Sequence, residues 1–87
     1  MEDKHTILGV HITDRLEEAV DVQKVLTEHG QYIKTRLGLH DTGTGAPGLN
    51  GLLLLEMSAD DDVITAMADK LNAMKGVEVQ SLVFYHP

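Results

Sequence analysis

The chain has 87 residues, a formal net charge of −7 and no cysteine. Its length fits one domain over residues 1–87, because most domains have about 100–150 residues. A chain without cysteine forms no disulfide, thiolate metal site or iron–sulfur cluster. Seven Lys and Arg against 14 Asp and Glu provide little of the electrostatic attraction that nucleic-acid binding needs, so no direct nucleic-acid partner is expected.

The hydrophobic residues occur in short segments. The longest uninterrupted apolar run covers residues 52–55, which is far too short to span a membrane. The first residues, MEDKHT, are polar and show no signal peptide. We therefore expect a cytoplasmic protein without a membrane partner.

Residues 6–12 alternate with a period of two, which predicts a strand with one strongly apolar face. That face is expected to hold Thr6, Leu8, Val10 and Ile12. The opposite face is expected to hold Ile7, Gly9 and His11. An amphipathic helix is predicted next, with Asp14 at its N-cap and Gly30 as the left-handed residue that ends it. Its buried stripe is expected to hold Leu16, Ala19, Val22 and Leu26.

A second strand is predicted over residues 32–40, a glycine-rich loop over residues 41–50 and a third strand over residues 51–57. One face of the second strand is expected to hold Ile33, Thr35, Leu37 and Leu39. Its other, outward face is expected to hold Tyr32, Lys34, Arg36, Gly38 and His40. The third strand is apolar on both faces, which predicts helices over one face and a second subunit over the other.

The last third of the chain repeats the helix–strand pattern. Ser58 or Asp60 is expected to cap a second helix, and Gly76 is expected to end it. The buried stripe of this helix is expected to hold Ile64, Met67, Ala68, Leu71 and Met74. The alternating pattern of residues 77–85 predicts the final strand. One face of this strand is expected to hold Val77, Val79, Ser81 and Val83, and the other Leu82 and Phe84.

The order of these elements predicts an α+β, ferredoxin-like βαββαβ domain. Two right-handed crossovers place both helices on one face of a four-stranded antiparallel sheet. The other face is bare in a monomer and carries too much leucine to stay in contact with water. We therefore expect a homo-oligomer, either a dimer or a tetramer, joined through sheet faces or edges.

The polar side chains best suited to bind a ligand lie on the second strand. Lys34, Arg36 and His40 are expected on one face, with repeats of about 6.5–7 Å, where they would hold a carboxylate or phosphate. Arg36 is the best candidate, because its guanidinium binds an anion bidentately. His11 is the fourth candidate, in a composite site across subunits. The alternative is a charged face that protects an edge strand or pairs with acids of a neighbouring subunit.

Metal binding and catalysis are not expected. The histidines show no HxH, HxxH or HExxH spacing, so neither a metal site nor a cofactor is predicted. The glycine-rich loop lacks the P-loop motif. Ser58 and Ser81 have no histidine–carboxylate partner by spacing, and the acids of residues 60–62 are explained by a helix start.

Several runs along nearly the whole chain resemble one family. They are ITDR before the first helix, EHG at its end, RLGLHD at residues 36–41, GLLLLEM at residues 51–57 and KGVEVQSLVF near the end. On these residues the chain resembles the ACT-like, ferredoxin-fold regulators of the iron-only hydrogenase system. The resemblance implies the fold described above, association through sheets and a regulatory role.

Wider relatives of that family sense amino acids or nickel. The ligand loop of ACT domains usually carries Pro-Gly, whereas this chain has Thr13-Asp14-Arg15, so amino-acid binding in that mode is not expected. The nickel-responsive repressor uses a His-x-His strand and a cysteine, whereas this chain has Gly38-Leu39-His40 and no cysteine.

Three function classes follow. The first hypothesis is a non-enzymatic regulatory module that binds a small anionic ligand near Arg36 and His40 at a subunit interface, and that affects transcription only through a protein partner. The alternative is a peptide-binding chaperone for metalloenzyme maturation, because residues 76–86 are similar to the end of the small cytoplasmic chaperone of periplasmic nitrate reductase. The third is a small enzyme of the ferredoxin-like barrel type, disfavoured because no catalytic set is visible.

Overall fold

The computed structural model describes residues 4–13, 16–39 and 50–85. The strands are β1 (Lys4–Thr13), β2 (Ile33–Leu39), β3 (Asn50–Met57) and β4 (Val77–Tyr85), and the helices are α1 (Leu16–Glu28) and α2 (Asp61–Asn72). A 3₁₀ turn, Gly30–Tyr32, connects α1 to β2. The predictions for Asp14, for His40 and for the loop at residues 41–49 lie outside the described residues, as do those for the side chains of Leu16 and Ala19.

The four strands form one sheet in the order β2-β3-β1-β4. Every neighbouring pair is antiparallel, so β1 and β3 lie at the centre and β2 and β4 form the edges. Each helix connects two strands that are not adjacent in the sheet, which is the split βαβ connection of the ferredoxin-like fold. The predicted ferredoxin-like βαββαβ architecture is confirmed.

The hydrophobic core lies between the helices and one face of the sheet. Buried side chains alternate along the central strands, as the period-two pattern predicts. The strands contribute Leu8, Val10, Leu55, Met57 and Val77. The helices contribute Val22, Val25, Leu26, Ile64, Met67 and Leu71. Of the predicted stripes, Val22, Leu26, Ile64, Met67 and Leu71 are buried, whereas Ala68 and Met74 are partly buried and Met74 lies beyond the end of α2.

The end of α1 differs from the prediction. Gly30 lies in the 3₁₀ turn and does not have a positive φ, so the expected left-handed residue is absent there. The His29 N–H instead donates to the Val25 carbonyl at 3.1 Å, and the Tyr32 N–H donates to the His29 carbonyl at 2.9 Å. The helix is thus followed by a 3₁₀ turn, and a left-handed glycine is not needed to end it.

The second helix ends earlier than predicted: α2 ends at Asn72 with Ala73 as its C-cap, so Gly76 lies in the turn before β4 and not at the helix end. Gly76 has a φ of 81°, in the region that favours glycine. Its carbonyl accepts hydrogen bonds from the Thr13 N–H at 2.8 Å and the Thr13 hydroxyl at 3.1 Å. These bonds join the last residue of β1 to the residue that precedes β4.

Replacement of Leu55 by Ala is expected to lower the free energy of unfolding by about 2–5 kcal/mol, because this fully buried side chain would leave a cavity. Urea unfolding followed by circular dichroism measures the loss. Val20 is 68% exposed on α1, and Val20→Ala is the matched control, with an expected change below about 0.5 kcal/mol. Equal losses in the two variants would contradict the assignment of the core.

Candidate functional site

One face of the sheet is covered by the helices, and none of the elements formed by residues 4–13, 16–39 and 50–85 covers the opposite face. We call this second surface the open face. Residues paired directly across strands have side chains on the same face, so the register defines its members. They are Thr35, Leu37, Leu52, Leu54, Glu56, His5, Ile7, Gly9, His11, Glu78, Gln80, Leu82 and Phe84. Leu37, Leu82 and Phe84 are each more than half exposed, so the open face offers a large apolar surface to its surroundings.

A groove of about 480 Å³ crosses the middle of the open face. We call it the central groove. Its apolar lining includes Ile7, Leu52, Leu54 and Leu82, and Gly9 lies among them on β1. An apolar concavity of this size is within the range of small-molecule sites.

The polar lining of the central groove comes from neighbouring strands. His11 pairs with Glu78 in the register of β1 and β4, and Gln80 follows on the same face of β4. The Gln80 side-chain amide donates to Glu78 Oε2 at 2.8 Å, which holds the carboxylate in place. The groove therefore combines an apolar body with one carboxylate and one imidazole.

A second polar group lies on the open face near the start of β1. Glu56 on β3 accepts a hydrogen bond from the Thr35 hydroxyl at 3.2 Å, and its other carboxylate oxygen lies 3.5 Å from His5 Nδ1. These contacts connect β1, β2 and β3 across the sheet. Polar groups thus flank an apolar centre, which is the arrangement typical of protein interfaces.

A bulge in β2 changes the predicted faces of that strand. Ile33 pairs with Met57, but Thr35 pairs with Glu56, so Lys34 is an extra residue between two successive pairs. Ile33 therefore lies on the helix side, where it packs against the core, while Thr35 lies on the open face. The prediction that these two residues share a face is wrong, because the extra residue reverses the alternation.

The same bulge places Arg36 and His11, two of the predicted ligand-binding residues, on different faces of the sheet. Arg36 pairs with the buried Leu55 and therefore lies on the helix side of the edge strand, where it is exposed. Leu37, which pairs with Leu54, takes the position on the open face. His11 lies on the open face, so Arg36 and His11 do not share a site within one chain. Lys34 is exposed at the bulge, next to Arg36 in the sequence.

The β4 edge is partly closed by a side chain from α2. The Val79 N–H donates to Asn72 Oδ1 at 2.9 Å, and the Asn72 amide donates to the Val79 carbonyl at 3.5 Å. Backbone groups at alternate residues of an edge strand point the same way, so those of Ser81 and Val83 face the same edge beyond this contact. The apolar residues Leu82 and Phe84 are exposed along that part of β4.

Charged contacts outside the open face are at the surface. Lys4 Nζ lies 2.8 Å from the Asp61 carboxylate, and this hydrogen bond raises the pKa of Lys4 above its ordinary value. Within residues 4–13, 16–39 and 50–85, no group of three or more His, Cys, Asp and Glu is placed to hold a metal ion. No helix in the same ranges is both long enough and apolar enough to cross a membrane.

Comparison with solved structures supports the fold. The uncharacterized protein TM1266 from Thermotoga maritima aligns with a TM-score of 0.80 and 25% identity over 92% of this chain and 96% of that chain. A formyltetrahydrofolate deformylase from Pseudomonas putida KT2440 aligns with a TM-score of 0.55 and 20% identity over 90% of this chain and 28% of that chain, which shows a likeness of fold alone.

Comparison of sequences identifies the family. None of the curated protein sequences matches this chain significantly. The sequence profile of the TM1266-like family, candidate regulators of the iron-only hydrogenase system, matches residues 4–81. This range includes every strand and helix apart from the last residues of β4. The chain therefore belongs to the TM1266-like family of candidate regulators of the iron-only hydrogenase system.

Proposed function

We propose that this chain is a non-catalytic regulatory module that acts as a homo-oligomer, with its open face packed against the open face of a second copy. The observation that carries the proposal is the apolar character of this face. Leu37 is 52% exposed, Leu82 58% and Phe84 56% in the single chain. Side chains of this size are usually removed from water, and an exposed cluster of them marks a protein interface.

The area of the open face can be compared with that of known protein interfaces. Four strands spaced about 4.8 Å apart, with about eight residues of 3.3 Å each, give a face of roughly 500 Å² per copy. Two such faces would bury about 1,000 Å², which is near the lower limit for a specific protein interface. The calculation supports a dimer through the open face.

The charges on the open face also favour contact between two copies. The chain carries a net charge of −7, which would keep two copies apart if the acids faced each other. Among the described residues of the open face, the acidic side chains are Glu56 and Glu78. Glu56 Oε2 lies 3.5 Å from His5 Nδ1, and Glu78 lies opposite His11 in the register of β1 and β4, so each carboxylate has a histidine on a neighbouring strand.

The regulatory part of the proposal is supported by the family to which the chain belongs. A module with a net charge of −7 has little electrostatic attraction to nucleic acid and would act through a protein partner. Burial of the open face in the oligomer would leave the helices and sheet edges for that contact. The exposed part of the β4 edge supports the second candidate, a peptide-binding chaperone, because an extended peptide would add to it as a strand.

Replacement of Leu37 by Asp is expected to convert the wild-type oligomer into a monomer of 9.5 kDa, because the interface would have to bury an unpaired carboxylate. Sedimentation velocity measures the mass, and circular dichroism confirms that the variant is folded. Val20→Asp places the same charge on an exposed apolar site of α1 and is expected to remain oligomeric. A monomeric wild type would contradict the proposal and favour the peptide-binding alternative.

A small anionic ligand is the second component of the proposed function. Lys34 and Arg36 are both exposed on the edge strand β2 and provide two cations in a chain with a large excess of acids. The Arg36 guanidinium is suited to bidentate binding of a carboxylate or phosphate. In this proposal the ligand binds at the β2 edge, where a neighbouring subunit can approach, and His11 of the same chain takes no part.

Citrate and inorganic phosphate are suitable probes for the anion site. At ten times its Kd, a bound anion is expected to stabilise the wild type by about 1.4 kcal/mol, which raises Tm by at least about 5 °C in a domain of this size. Arg36→Ala is expected to abolish the rise in a thermal-shift assay. Lys24→Ala removes an exposed cation on α1 and should leave the rise intact. Equal stabilisation of all three proteins would disprove a site at Arg36.

A further inference from the structure

The central groove depends on the absence of a side chain at Gly9. This residue lies in β1, between Leu54 of β3 and Gln80 of β4. A Cβ atom at this position would have its nearest neighbours at 3.8 Å (Gln80 carbonyl) and 3.9 Å (Leu54 Cδ2), which are ordinary contacts. Gly76 is the glycine with a positive φ in the described chain, so the backbone at residue 9 does not need glycine either.

Glycine inside a central strand weakens the sheet, and it often marks a place where another molecule approaches the backbone closely. At Gly9 neither the packing of the described residues nor the backbone conformation requires glycine. The hollow above it is part of the groove of about 480 Å³. The absence of a side chain at Gly9 therefore leaves room for a bound molecule in the groove.

The polar lining indicates the charge of that molecule. Glu78 contributes a carboxylate that accepts one hydrogen bond from Gln80 at 2.8 Å, and a carboxylate has acceptor sites for further donors. Neither lysine nor arginine is found among the described residues that line the groove. A cationic group is therefore complementary to this end of the groove, whereas an anion would be repelled by Glu78.

We infer that the central groove is a binding site for a small apolar molecule that ends in a protonated amine. The apolar body lies over Gly9 between Ile7, Leu54 and Leu82, and the amine donates to the Glu78 carboxylate. This inference goes beyond the proposed function, because the site and the ligand charge differ from those of the anion site at Arg36. In a face-to-face oligomer the second copy would cover the groove and strengthen the amine–carboxylate contact by exclusion of water.

The test uses two probes that share an apolar body and differ in charge, namely 2-phenylethylamine and 3-phenylpropionate. Isothermal titration calorimetry on the wild-type protein is expected to show binding of the amine and none of the carboxylate. Glu78→Gln is expected to weaken amine binding about tenfold or more, because a charge-assisted hydrogen bond is lost. Glu56→Gln neutralises the other carboxylate of the open face, outside the groove, and should leave the affinity unchanged.

Gly9→Val tests the hollow itself. Valine is a preferred strand residue, and the space around a Cβ at this position allows the variant to fold, so it is expected to fill the groove and abolish amine binding. Equal binding of both probes, no binding to the wild type, or full binding to Gly9→Val would overturn the inference.

The native mass of the same samples separates this inference from the proposed association. A monomeric wild type that binds the amine would support the groove and contradict the proposed oligomer. An oligomeric wild type that does not bind the amine would support the oligomer and contradict the proposed binding site in the groove.

Discussion

The two faces of the sheet are covered unequally, and the rest of the structure depends on this difference. Two helices cover one face of the sheet, but the central strand β3 carries leucine on both faces. On the helix side Leu55 is fully buried, and burial of apolar surface at about 25 cal/mol per Å² stabilises the domain. On the other side Leu54 lies on the open face. The fold is thus complete in one chain, whereas the burial of its apolar surface is not.

The open face connects this imbalance to function. Its polar groups, Glu56 with His5 and Glu78 with Gln80, lie on either side of an apolar centre. A second copy of the chain would bury the apolar centre, and the groove above Gly9 would then become an enclosed cavity. This combination of an association surface and a ligand cavity suits a regulatory module, since a ligand bound between two copies changes their affinity for each other.

The parts of the fold that depend on one-sided burial could be predicted from the sequence, because burial imposes a period of two on strands and 3.6 on helices. The bulge at Lys34 could not. The apolar–polar alternation of residues 32–40 continues across Lys34, and neither Gly nor Pro lies at that position. The register of the bulge depends on the partner strand β3. For the same reason the face of Arg36 was predicted wrongly. Gly9 was placed on the correct face, but the hollow above it depends on Leu54 and Gln80 from other strands.

The central claim is that the open face is buried against a second copy. Nuclear Overhauser effects between protons of different subunits test this most directly, in a sample mixed from isotope-labelled and unlabelled protein. The account predicts intermolecular effects between the methyl groups of Leu37, Leu54 and Leu82. Intermolecular effects confined to the helix side, for example at Val20, or a complete absence of intermolecular effects at concentrations where the protein is oligomeric, would contradict it.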